Sequence, residues 1–145
     1  MKIKLTKHEF SRQRRKNPPL RFYLDEGMPD VAKYLNSYGF DTVTAEIQKG
    51  IGAQDHEHLL EAKKQFRIFV TKDIKRVKKE KDNLLNCPGI IGIESSNPTQ
   101  DEIISAMNAI LSWSRKSYHF YERVWLISHD SLFIWEADGV VKKLV

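Results

Sequence analysis

Short apolar runs alternate with amphipathic stretches from residue 20 to residue 113, and that order constrains the fold more than any other feature of the chain. Leu20-Arg21-Phe22-Tyr23-Leu24 reads as a strand, rich in aromatic and aliphatic side chains. Asp25-Glu26-Gly27-Met28 follows as a turn, and Pro29 suits the first position of a helix. Val31, Leu35 and Tyr38 recur at i, i+4 and i+7 and give that helix one apolar face, which Gly39 ends. Thr42-Val43-Thr44 is a second strand, and Gln48 to Ala53 reads as a loop with Gly50 and Gly52. Asp55 to Gln65 is the next helix, with Leu59, Ala62 and Phe66 facing inward. Ile68-Phe69-Val70-Thr71 is a third strand, apolar on both faces as buried parallel strands are. Gly89 to Ile93 is a fourth. Thr99 and Glu102 form a capping box that opens a helix bearing Ile103, Ile104, Met107, Ile110 and Leu111 on one side. Val124 to Ser128 and Leu132 to Glu136, around His129-Asp130-Ser131, read as an antiparallel hairpin. This order predicts a three-layer α/β domain with a mostly parallel central sheet, right-handed crossovers and a C-terminal antiparallel hairpin.

Size and charge organise the chain around that domain. A chain of 145 residues is one domain's worth, and at about 150 residues roughly 70% of the unfolded surface is buried on folding. Charged residues make up 30% and hydrophobic ones 41%, which excludes disorder over the whole length. The net charge of +5 is uneven. Residues 1–21 hold eight basic side chains against the single acid Glu9, so the remainder is slightly acidic. Residues 1–19 therefore read as a basic arm, with a short helix opened by Thr6 and Glu9 and broken at Asn17-Pro18-Pro19. Residues 20–145 form the domain. Arg12, Arg14, Arg15 and Lys16 in the arm, with Lys72, Lys75 and Arg76 further on, are candidates to grip a nucleic-acid backbone. A solvated arm that aids solubility is the other reading of such a run. Cys87 is the one cysteine, so no internal disulfide forms, and a reducing, cytoplasmic setting is expected. Residues 1–7 lack the pattern of a secretory signal, and no run reaches the ~18–20 apolar residues of a membrane span.

The acids fall where chemistry is expected. In open parallel sheets, ligands bind beyond the carboxyl ends of the strands. Asp25 and Glu26 directly follow the first strand, Asp73 comes just after the third, and Asp55 opens the helix facing them. Clustered carboxylates repel unless a cation sits among them. Oxygen donors of this kind select Mg²⁺ or Mn²⁺, and such an ion activates water and clamps a phosphodiester. Each acid also has a structural role open to it: Asp55 as a helix cap, Glu26 as a first-turn acid, Asp73 as a turn aspartate.

Three motifs taken together resemble the PIN-like domain family. They are Leu24-Asp25-Glu26-Gly27-Met28-Pro29, Asp55-His56-Glu57-His58-Leu59-Leu60 and Val70-Thr71-Lys72-Asp73. The family is similar to the toxin ribonucleases of bacterial toxin–antitoxin pairs, and the resemblance spans about residues 20–137. It implies an acid-lined pocket that binds Mg²⁺ or Mn²⁺ and cleaves RNA, with an antitoxin protein as partner. The matching acids are Asp25, Asp55 and Asp73 as metal ligands, Glu26 as the second acid, and Thr71 as the hydroxyl beside the last aspartate. Two positions depart from the pattern. Gly27 stands in place of an asparagine, and Lys75 in place of a fourth acid.

Lys75 is what favours the alternative: a domain that keeps the fold without the chemistry and binds nucleic acid or protein. His56 and His58, two apart, do not share a helix face and read as surface residues. His129-Asp130-Ser131 is a turn, since consecutive residues cannot form a catalytic triad. Trp113, Tyr118, Phe120, Tyr121, Trp125, Phe133 and Trp135 read as core and cross-strand packing. Any exposed subset of them would serve an oligomer, such as a homodimer, or a partner interface.

Overall fold

The computed structural model describes residues 18–49, 55–80, 84–95, 97–128, 131–136 and 141–144, without the side chains of Lys49, Asp55, His56, Ile74, Arg76, Glu80 and Lys142. The basic arm through residue 17, with its expected helix and with Arg12, Arg14, Arg15 and Lys16, lies outside the described residues, as do Gly50, Gly52, His129 and Asp130.

The apolar runs become strands because each has side chains to bury on both faces. They are β1 (Arg21–Leu24), β2 (Asp41–Thr44), β3 (Ile68–Thr71), β4 (Ile90–Glu94), β5 (Val124–Ser128) and β6 (Ser131–Trp135), with β7 (Val141–Lys143) at the edge. Between them come α1 (Pro29–Ser37), α2 (Ala45–Lys49), α3 (Asp55–Lys64), α4 (Ile74–Glu80) and α5 (Gln100–Trp113). A seven-stranded sheet runs in the order β2-β1-β3-β4-β5-β6-β7. The first five strands are parallel, and β6 and β7 are antiparallel to their neighbours.

Register sorts the strand side chains into two cores. Leu24 pairs with Val70, Val70 with Ile91 and Ile91 with Trp125, and all four lie in the core under α1 and α5. Tyr23 pairs with Phe69, Phe69 with Ile90 and Ile90 with Val124, and these lie in the opposite core under α3 and α4. The period of two along each strand is what separates them. Val31 and Leu35 of α1 are fully buried, each contributing about 1.5–3 kcal/mol. The Thr99–Glu102 capping box forms as expected, and Pro29 opens α1.

Several sequence expectations give way to tertiary packing. Tyr38 is 64% exposed and Phe66 59% exposed. Both lie beyond the last helical turn, where Gly39 (φ +88°) and Phe66 itself (φ +57°) turn the chain away from the core. Part of the expected loop at 48–53 is instead helix α2, and the lysine-rich stretch after β3 is helix α4. The links from β3 to β4 and from β4 to β5 step in the same direction through helices on opposite faces. Two such links have opposite hands, so uniform right-handedness fails at one of them. In the β4–β5 link, α5 lies on the face of α1, packing on it and accepting the Asp30 N–H at Gln100 Oε1 (2.6 Å).

The seven C-terminal aromatic residues are all buried or half-buried, as packing requires. Phe120 holds one tight point. Gly89 has φ +142°, and a Cβ there would meet the Phe120 carbonyl oxygen at 2.7 Å. Gly89→Ala is expected to lose roughly 3 kcal/mol from strain and overlap together. A denaturant melt checks this, and a loss under a few tenths would refute it.

The amino end of the sheet is tied by ion pairs. The buried Arg67 guanidinium donates from Nη1 to Asp41 O (2.8 Å) and Asp41 Oδ1 (2.9 Å). That bond, more than any other influence, holds the Asp41 carboxyl below its usual range. The opposite, carboxyl end is where the acids gather.

Candidate metal centre at the carboxyl end of the sheet

The strand order 2-1-3-4-5 reverses direction between β1 and β3, and such a switch point opens a crevice at the carboxyl end of the sheet. The Leu24–Val70 pairing puts Asp25 and Thr71 side by side at that point. Asp25 N–H extends the ladder by donating to Val70 O at 2.9 Å. The Asp25 carboxylate is buried and fully directed. Oδ2 accepts from Thr71 Oγ1 at 2.8 Å, and Oδ1 accepts from the Glu26 N–H at 2.8 Å. Thr71, with no exposure, in turn accepts the Asp73 N–H at 3.0 Å. One hydroxyl therefore fixes both aspartate-bearing segments.

Asp25, Glu26 and His58 each place one donor atom within 4.8 Å of the others'. Among the described residues this is the grouping of three such donors that forms. Asp73 stays beside it, joined through Thr71. Asp55 begins α3 one turn before His58, on the same helical stripe, and its side chain lies outside the described residues. Lys72 and Lys75 are exposed, and the Arg76 side chain lies outside the description. The Lys72 ammonium overlooks the acids: a Cβ on Gly27 would stand 3.6 Å from it.

Two residues join the site that sequence reasoning passed over or placed elsewhere. His58 is fully buried rather than on the surface. Its Nδ1 lies 3.2 Å from the Tyr23 hydroxyl, and its Nε2 has no hydrogen-bond partner among the described residues. The signal was the i, i+3 relation to Asp55, on the stripe that carries Ala62 inward. Glu46 of α2 accepts the Gly27 N–H at Oε1 (2.6 Å). Its signal was position, an acid two residues past the end of β2. Gly27 adopts φ +86°, a left-handed conformation that costs glycine nothing. It thus serves the turn where an asparagine was expected.

Tyr23 registers the local field. Its phenol is pushed up to about 12, first by burial, then by the carboxylates of Glu61, Asp25, Glu46 and Glu26. It is therefore a neutral hydroxyl at physiological pH. So many acids around one buried ring leave a region in want of positive charge. The donor set of two carboxylates and one imidazole fits a divalent ion, and the orphaned His58 nitrogen supports that fit.

No curated protein and no solved structure gives a significant match to the chain. No helix among the described residues is long and apolar enough to cross a membrane. One family profile, described as the Mut7-C RNAse domain, matches residues 20–117, from β1 through α5 and thus across every element that builds the site. The chain belongs to the Mut7-C RNase domain family.

Proposed function

We propose that this chain is a metal-dependent endoribonuclease. The observation that carries the reading is the buried Asp25 carboxylate, locked by Thr71 at the switch point with Glu26 and His58 beside it, in a domain of an RNase family. Asp25 and Glu26 hold Mg²⁺ or Mn²⁺, with Asp55 and Asp73 as the further acids of the same rim. When bound, the ion supplies an activated water and charge neutralisation at the phosphodiester. Thr71 keeps Asp25 in one orientation. Lys72, Lys75 and Arg76, with Arg12, Arg14, Arg15 and Lys16 of the arm, attract and align the RNA backbone.

The motif resemblance supports a finer reading: a PIN-like, toxin-type ribonuclease acting in the cytoplasm, countered by an antitoxin protein and forming a homodimer. Glu46 offsets the loss of an acid at Lys75, since it brings another carboxylate to Gly27 at the same rim.

The test is RNA cleavage by the full chain on single-stranded and structured RNA. Cleavage in Mn²⁺ or Mg²⁺, and none in EDTA, is the expected result. Salt-dependent RNA binding by folded protein, without cleavage in either metal, would replace the enzyme with a binding module.

A further inference from the structure

A fully buried imidazole with an unsatisfied nitrogen needs a reason. Leaving a buried polar atom without a partner is unfavourable, and His58 Nε2 has none among the described residues. It lies on α3, 35 residues from the Tyr23 hydroxyl that meets its Nδ1. A ring nitrogen of the same residue stands within 4.8 Å of carboxylate oxygens from Asp25 and Glu26. We propose that His58 is a metal ligand through Nε2, and that this nitrogen makes the site prefer Mn²⁺ over Mg²⁺. The inference rests on the metal-dependent reading of the site and names its ion.

The chemistry follows from the donors. Mg²⁺ takes oxygen ligands and keeps its waters, and imidazole adds little to its binding. Mn²⁺ accepts carboxylate oxygen as readily and gains from nitrogen. In the tautomer that donates its Nδ1–H to Tyr23 Oη, Nε2 carries a bare lone pair. Ligating histidines characteristically give their other N–H to an oxygen acceptor, which fixes tautomer and ring orientation. Tyr23 is well placed for this role, being fully buried on β1 beneath α3.

The experiment uses the full chain loaded with Mn²⁺ alone and read by electron spin-echo spectroscopy, with Mg²⁺ as competitor. The wild type is expected to show nitrogen modulation from one bound imidazole. His58→Gln should lose that modulation and bind Mn²⁺ about 10–100-fold more weakly, with Mg²⁺ affinity changed less. His56→Gln, two residues away, should keep it. The wild-type spectrum decides the matter even if the His58 variant fails to fold. Mn²⁺ bound without nitrogen modulation would overturn the proposal while leaving the metal-dependent ribonuclease standing. No Mn²⁺ binding by folded wild type would overturn both.

Discussion

Asp25→Asn is expected to abolish metal-dependent RNA cleavage, with a fall of about 100-fold or more, and to leave the fold intact. Asparagine keeps the shape of the side chain. Its Oδ1 still accepts the Glu26 N–H, and its Nδ2 donates to Thr71 Oγ1 once that hydroxyl turns away. Rearranging one buried hydrogen bond costs about 1 kcal/mol, and removing one charge from an acidic cluster offsets part of that. What the variant loses is the negative charge that a divalent ion requires. Parallel measurement of cleavage in Mn²⁺ and of thermal unfolding separates the two effects. Wild-type activity in the variant would remove Asp25 from the site. An unfolded variant would make it a structural residue.

Trp125→Ala is expected to cost about 3–5 kcal/mol, the largest stability loss of any substitution considered. The indole is fully buried in the core under α1 and α5. It stacks on Phe120 at 4.7 Å between ring centroids, and its Nε1 donates to His119 O at 3.1 Å. Truncation removes the stacking, opens a cavity and strands that carbonyl. Against a typical total of about 5–15 kcal/mol, this is a large share of the domain's stability. Guanidinium unfolding measures it, and a loss under about 1 kcal/mol would show that the core closes over the gap. Trp125→Phe keeps a ring against Phe120 and should lose much less.

The site was half legible before the structure. Asp25, Glu26 and Asp73 stood out because they fall at the carboxyl ends of apolar strands, where ligands bind in open parallel sheets. Their mutual placement was not legible. Thr71 and Asp25 are 46 residues apart in the chain and meet only because β1 and β3 are neighbours. His58 was misplaced on the surface because its spacing of two from His56 says nothing of what lies beneath the helix. The neighbour that mattered was Tyr23, on a strand. Glu46 was hidden for the same reason: its partner, Gly27, lies across the β1–β2 pairing.

The fold divides along a similar line. Strands β1, β3 and β5, the Pro29 start of α1 and the Thr99–Glu102 cap of α5 are local events. They are set by side chains within a few residues, and those patterns are written in order along the chain. Helices α2 and α4, of five and seven residues, are too short for an apolar period to show. Strand β7 is three residues ending in two lysines and exists through its pairing with β6. Faces of Trp125 and Trp135 follow from register, which places Trp125 opposite Ile134 and Trp135 opposite Val124. The sequence by itself determined the order of elements and the acids at their ends, because hydrogen bonding and periodicity act between near neighbours. Only the tertiary structure decided which acids share a crevice and which imidazole is buried with them, because those contacts depend on strand order and on helices that cross the sheet.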